Sequence, residues 1–499
     1  VSISGLWNTV LEGFDQGFSW GIRVLEATLF FDIGGLPLVI LWLLAGALFF
    51  TLRMGFINVR GFCHAIRVVR GVYDTPDEPG EVTHEQAVST ALSATVGLGN
   101  IAGVAIAIQL GGPGAVLWMS LAGFLGMSSK FVECTLGQKY RIIHDDGTVS
   151  GGPMHYLSQG LAKVGLEPLG QALAALFAGF CALAALGGSN MFQANQSYAA
   201  VAYLFPGLAE YRGLYGLALA LLVGVVILGG IRRIGAVAGT VVPVMAGGYM
   251  VSALWVICSH ATAIPGAFGT IWQEAFHPHA VEGGVLGVLV QGIRRGVFSN
   301  EAGVGSASIA HSATKTDEPV REGIVASIEP FLDTVVICNV TALVCIITGV
   351  YQQTAGEQLS GVALTAAAFG SELSWFPSLL AVAVCLFAFS TMISWSYYGE
   401  RCWTYLWGRG ASLVYKLLFV LCVFVGTVTN LRSVLVFSDM MMFAMAFPNI
   451  LGGVLLSGQV ATDLQDYWQR LKSGNMPVAA DLPVSPTPMK EAEEEKVHS

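Results

Sequence analysis

Ser93-Ala94-Thr95-Val96-Gly97-Leu98-Gly99-Asn100-Ile101-Ala102-Gly103 interrupts one long apolar run, and Phe298-Ser299-Asn300-Glu301-Ala302-Gly303-Val304-Gly305-Ser306 interrupts another. Each stretch puts polar residues and a G-x-G where a membrane helix would otherwise run straight. An unwound helix leaves backbone N–H and C=O groups without partners. In hydrocarbon each costs several kcal/mol, so such a break must line an enclosed cavity or a ligand. About five spans separate the starts of the two stretches. If the first span is set aside, they open two halves of five helices each, and an odd number inverts the second half. Paired Gly-interrupted segments in matching places of inverted halves mark a transporter binding site.

Composition places both stretches in a bilayer. Apolar residues make up 54% of the 499 and charged residues 11%, against roughly 25% charged in a soluble domain. Candidate spans lie near 34–53, 86–109, 114–138, 169–203, 214–231, 235–259, 284–310, 323–350, 376–399, 411–430 and 434–458. That is about eleven helices, each near the 20 apolar residues a crossing needs. The runs are long and continuous, which excludes the alternating strands of a barrel. If the first span runs outside to inside, only Arg23, Arg212 and Arg432 lie outside, and Lys130, Arg294 and Arg295 lie within spans. The remaining Lys and Arg fall inside, which predicts an outer N-terminus and an inner C-terminus. Residues 1–33 lack the basic start of a cleaved signal and read as an interfacial or outer segment. The Pro-rich, charged residues 461–499 read as a disordered inner tail.

Several chemistries are excluded or disfavoured. The net charge is −9, and no basic strip for nucleic acid is present. The nine cysteines form no C-x-x-C pair and read as small hydrophobes in helix packing. His84-Glu85 lacks the second histidine of H-E-x-x-H, and His277-Pro278-His279 sits in a loop. The chain has no Walker-type loop and no nucleophile–base–acid cluster, so neither an enzyme nor an ATP-driven pump is indicated.

The amides at a half-helix N-terminus attract a carboxylate. The carbonyls at the opposing end attract Na⁺ or an ammonium. One break thus offers both poles of a zwitterionic amino acid, and Gly97 and Gly99 let the backbone approach it closely. Hydroxyls of Ser390 and Thr391 are placed to complete an oxygen cage for Na⁺ with the carbonyls of Ser93 and Val96. Thr95 and Asn100 offer a second such site. Back-bonding of the hydroxyls onto their own helices is the plainer alternative. Asn190, Gln193, Asn195 and Gln196 bring amides to membrane depth, for substrate or for helix–helix hydrogen bonds. Phe298, Ser299, Asn300 and Trp395 are candidates to wall the pocket. Arg294, Arg295, Glu301 and Asp333 are costly in a membrane. A structural ion pair of Glu301 with one of the arginines is the preferred reading. Lys130 and Glu133 are three apart on one helix, which predicts a local pair. Asp439 is read as exposed at the outer interface.

The sequence resembles the alanine/glycine:cation symporters, the sodium:alanine symporter family. The likeness rests on T-L-R-M-G-F (51–56), T-A-L-S-A-T-V-G-L-G-N-I-A-G-V-A (90–105), G-G-P-G-A-V-L-W-M (111–119), G-G-P-M-H-Y-L (151–157), R-R-G-V-F-S-N-E-A-G-V-G-S-A (294–307) and F-L-D-T (331–334). The resemblance implies an all-α polytopic membrane protein of the leucine-transporter type. Its plan is a five-plus-five inverted repeat with one extra N-terminal span (34–84), a first repeat (85–260) and a second (261–460). It implies a secondary active transporter in the plasma (bacterial inner) membrane that takes up alanine or glycine with Na⁺. It also implies that Thr391 and Trp395 serve the substrate pocket or ion site. No organic cofactor, nucleic acid or obligate protein partner is implied. Some members of the family prefer glutamine, so the resemblance leaves a Na⁺- or H⁺-coupled carrier of glutamine or another amino acid as the alternative. A cation channel fits less well, because it needs a ring of like residues around a pore.

Overall fold

The computed structural model describes residues 24–75, 78–277, 283–353, 361–372, 375–429 and 431–476. Most of the expected N-terminal segment (1–23), much of the expected inner tail (477–499), and Pro278 and His279 lie outside the described residues; residues 461–472 of that expected disordered tail are instead helical, continuing the last helix. All eleven expected apolar runs contain helix. In chain order they are α1 (Leu38–Arg53), α2 (His84–Thr95), α3 (Val104–Gly111), α4 (Ala115–Lys139), α5 (Glu167–Leu186), α6 (Phe192–Leu204), α7 (Arg212–Ile227), α8 (Gly230–Ser259), α9 (Gly284–Asn300), α10 (Ala307–His311), α11 (Pro319–Ala326), α12 (Asn339–Ile347), α13 (Phe376–Trp407), α14 (Ser412–Val428) and α15 (Leu431–Lys472).

Among the described residues, seven helices are long and apolar enough to cross a membrane. The pair formed by α2 and Gly99–Gly111 makes an eighth, bent by 48°. This count falls below eleven for local reasons. Helices α1 and α7 are apolar but short, and the second Gly-rich stretch separates α9 from α10. Wide turns of π-helix join α5 to α6 (Gly187–Met191) and α11 to α12 (Phe331–Cys338). A third such turn, Gly99–Gly103, leads into α3.

The outer faces of α7, α8 and α14 present Leu221, Val251 and Leu417, each more than 60% exposed. In a soluble protein that surface would aggregate; here it meets lipid. Association between helices therefore depends on close packing of small residues rather than on the hydrophobic effect. Helix α4 is the spine. A Cβ on its Gly126 would lie 2.7 Å from Ala302 Cβ, and one on its Gly137 would lie 2.8 Å from Ser308 Cβ. Helix α9 seats Gly292 against the carbonyl of Ala115 in the same way.

At the end of α1 the chain turns through two short helices, Ile57–Arg60 and Phe62–Val69. They fasten α1 to the far end of α15, where His64 Nε2 lies 2.7 Å from the Tyr467 hydroxyl. Burial, then Arg321 and Arg67, lower the His64 pKa to about 4. The imidazole is therefore neutral and accepts or donates one hydrogen bond to the tyrosine.

Candidate functional site

The first break begins where the α2 ladder ends. Val96 N–H donates to Leu92 O at 2.6 Å, and the ladder resumes when Ala102 N–H donates to Leu98 O at 2.8 Å. Between them the amides find side chains. Gly97 N–H donates to Asn100 Oδ1 at 2.9 Å. Leu98 N–H donates to Gln193 Oε1 of α6 at 3.4 Å, a long bond. A Cβ at Gly97 would fall 2.4 Å from Thr391 Oγ1, so only glycine fits without displacement.

The second break is set by backbone sign. Glu301 adopts a left-handed conformation at φ 57°, and Gly303 and Gly305 follow at φ 85° and 92°. Among the described residues only Phe56 and Glu301 are non-glycine with positive φ. Such a conformation persists only where the surroundings over-determine it, and here they do. The Glu301 carboxylate accepts from Trp395 Nε1 at 2.7 Å and from Ser306 Oγ at 2.6 Å. The freed amide of Ala302 is satisfied by Asn300 Oδ1 at 2.9 Å.

The two breaks touch. A Cβ at Gly99 would lie 3.2 Å from Ser299 Cα. One buried carboxylate, Asp333 in the π-turn before α12, serves both. It accepts from Asn100 Nδ2 of the first break at 2.6 Å and from Ser299 Oγ of the second at 2.8 Å. Thr334 Oγ1 donates to it as well, at 2.7 Å. The same threonine accepts from Asn300 Nδ2 at 2.9 Å.

Helix α13 closes the first break from the side. Thr391 Oγ1 donates to Ser93 O at 3.1 Å, and Ser93 Oγ donates to Ser390 O at 3.0 Å. Ser394 Oγ, which sequence reading did not single out, donates to Ser93 Oγ at 2.9 Å. Ser390 Oγ turns back to Phe387 O at 3.0 Å. The result is a cluster of hydroxyl and carbonyl oxygens with no carboxylate, a donor set suited to a weakly held, hard monovalent cation. Thr95 Oγ1 instead donates to Ala91 O of its own helix at 3.1 Å.

Of the expected pocket residues, Gly97, Gly99, Gln193, Ser299 and Thr391 converge on the breaks. Phe298 packs edge-on against Phe192 at 5.5 Å between ring centres, under the Arg295 guanidinium. Asn190 and Asn195 donate to backbone carbonyls of α14 and the residue after it, at 2.8 Å (Phe419 O) and 2.9 Å (Thr429 O). Gln196 Nε2 donates to Asn195 Oδ1 at 3.1 Å. Gln196 Oε1 accepts from Val362 N–H at 3.3 Å, so all three amides join α6 and the π-turn before it to other segments.

The ion pairs differ from expectation in three places. Glu301 does not pair with an arginine. Arg294 and Arg295 both reach Asp439 of α15, the former with Nε at 2.8 Å. Asp439 is accordingly buried rather than exposed at the interface. Lys130 does not pair with Glu133. Its Nζ lies 3.5 Å from Glu329 Oε2, while Glu133 accepts from Asn449 Nδ2 at 2.9 Å. The three-residue spacing on α4 loses because partners from other helices reach deeper. Lys130 ends a buried file of ions. Glu329 contacts His311 Nε2 at 2.5 Å, Glu322 contacts His311 Nδ1 at 2.5 Å, and Glu322 also contacts His84 Nδ1.

A family model described as the sodium:alanine symporter family matches residues 24–481. The sodium/alanine symporter AgcS of Methanococcus maripaludis is 41% identical over 432 residues, covering 86% of this chain and 94% of that protein. The probable sodium/glutamine symporter GlnT of Bacillus subtilis is 36% identical, covering 88% of this chain and 90% of that one. The crystal structure of MhsT in complex with L-phenylalanine superposes with a TM-score of 0.53 at 14% identity, over 75% of this chain and 88% of that chain. That likeness carries the leucine-transporter-type fold.

Proposed function

We propose, from the premise that this chain belongs to the sodium:alanine symporter family, that it carries alanine and glycine into the cell with Na⁺. The chain is a secondary active amino-acid transporter and not an enzyme. The cargo, the ion and the residues named below are the reading offered here.

The observation that carries it is the meeting of three parts around Gly97. The α2 carbonyl end, the Thr391 hydroxyl and the Gln193 amide all reach it. In this reading Na⁺ is held by the carbonyls of Ser93 and Val96 with the Ser390 and Thr391 hydroxyls. It replaces the bond from Thr391 to Ser93 O and fixes α2 against α13. A second Na⁺ site at Thr95 and Asn100 needs the Thr95 hydroxyl to leave Ala91. The amino-acid carboxylate then docks on the amides around Gly97, Gly99 and Asn100. The long bond from Leu98 to Gln193 yields readily, because a charged acceptor makes a stronger hydrogen bond than a neutral amide. The ammonium meets carbonyls near Phe298, Ser299 and Asn300, and the short side chain fills the space beside Trp395.

Ion and substrate stabilise the same arrangement of the breaks, and that shared preference is the coupling. One charge moving inward gains about 2.3 kcal/mol per 100 mV. Closing the outer gate and rocking the bundle opens the inner side; the two repeats are taken as 85–260 and 261–460, with the N-terminus outside, the C-terminus in the cytoplasm and the plasma membrane as the site of action.

The test is alanine uptake into proteoliposomes with Na⁺ or choline outside. Ser390→Ala with Thr391→Ala is expected to remove Na⁺ stimulation while the protein reconstitutes normally. Undiminished stimulation would sink the ion assignment. The likeness to GlnT favours glutamine as second reading. Competition of labelled alanine uptake by excess glutamine separates the two.

A further inference from the structure

A cleft of about 270 Å³ lies between the end of α1 and the end of α15, away from both breaks. Its polar lining consists of Arg53, Arg60, Gln465, Trp468 and Gln469, with no carboxylate among the lining residues. Among the described residues neither arginine has an ion pair; Arg60 donates to Gly55 O at 3.2 Å and lies 5.8 Å over the Trp468 ring. Trp468 leaves a buried indole N–H with no acceptor. Two guanidiniums without a carboxylate partner and two amides line one space, with the Trp468 side chain in its wall. Such a site takes an anion with several acceptor oxygens, and a phosphate is the chemistry that matches.

The surroundings say where that phosphate comes from. Leu52, Phe56 and Val59 flank the arginines in sequence and are 58%, 51% and 60% exposed. They are an apolar skirt at the end of the apolar helix α1. A free anion has no use for it. We propose that this cleft is a binding site for an anionic glycerophospholipid. The phosphate sits between Arg53 and Arg60, the indole N–H of Trp468 donates to it, and the chains lie over Leu52, Phe56 and Val59. A zwitterionic headgroup fits poorly, because its ammonium would enter a space lined by two cations and the Trp468 ring face is already taken by Arg60. The lipid would clasp the extra first helix to the last.

Native mass spectrometry of the full chain tests this, with phosphatidylglycerol and phosphatidylcholine of the same acyl chains supplied in equal amounts. Wild type is expected to retain phosphatidylglycerol preferentially. Arg53→Gln with Arg60→Gln is expected to weaken that retention roughly thirtyfold, from about 1 kcal/mol for each cation at an anionic surface. Arg67→Gln with Arg70→Gln removes nearby exposed charge outside the cleft and is expected to leave retention unchanged. Equal retention of both lipids by wild type overturns the proposal. So does undiminished retention by the cleft variant when its melting temperature in lipid-free detergent matches wild type. Displacement of phosphatidylglycerol by equimolar inorganic phosphate would identify a free-anion site instead, and also overturns it.

Discussion

Gly97 and Asp333 show how differently two residues of one site announce themselves. Gly97 stands in a G-x-G inside an apolar run, and its sequence context alone marks a broken helix. Its cost of replacement is also local. Gly97→Ala sets a Cβ 2.4 Å from Thr391 Oγ1, whereas Gly103→Ala meets nothing within 4 Å. Uptake by Gly97→Ala is expected to fall to background, with Gly103→Ala close to wild type; equal activity of the two would remove the close approach of α13 from the account. Asp333 was legible only as an ionisable residue in a membrane. Its part in joining both breaks was not, since Asn100 lies 233 positions away. The same holds for Ser394, whose hydroxyl is one of several on α13 until the fold sets it on Ser93 Oγ. Trp395 and Glu301 were each noticed, but as a wall and as half of an ion pair with arginine. The bond between them depends on Glu301 turning left-handed, which no spacing rule foretells.

Helices were read more securely than their pairings. The apolar runs, the two breaks and the polar face of α6 follow from hydropathy and glycine placement. The buried file from His84 to Lys130 does not, because it draws single residues from α2, α4, α10 and α11 and the turn after it. Local spacing favoured Lys130 with Glu133, yet packing of α11 on α4 brought Glu329 closer. A buried charge stripped of its partner is costly, by about 3–5 kcal/mol. Lys130→Met is therefore expected to lower the melting temperature of the detergent-solubilised protein sharply. Lys130→Met with Glu329→Gln is expected to recover part of that loss. A single variant as stable as wild type would show that the pair contributes nothing to holding α4 against α11.

The molecule as a whole is two broken elements held face to face inside a belt of apolar helices. Its placement across the bilayer follows from where lysines and arginines are allowed. A C-terminal alkaline phosphatase fusion, active only outside the cytoplasm, is expected to be inactive, and a C-terminal green fluorescent fusion bright. The opposite pattern would reverse the proposed orientation. The ion file has a further consequence at this scale. Both ring nitrogens of His311 face carboxylate oxygens, so the ring carries two protons. His84, Glu322, His311, Glu329 and Lys130 thus alternate basic and acidic along the file. Each carboxylate in the row has a basic neighbour on either side, so the cost of burying a charge is borne by the row rather than by any single residue. Removing any one member leaves its neighbours uncompensated, so α2, α4, α10 and α11 are tied together as a set.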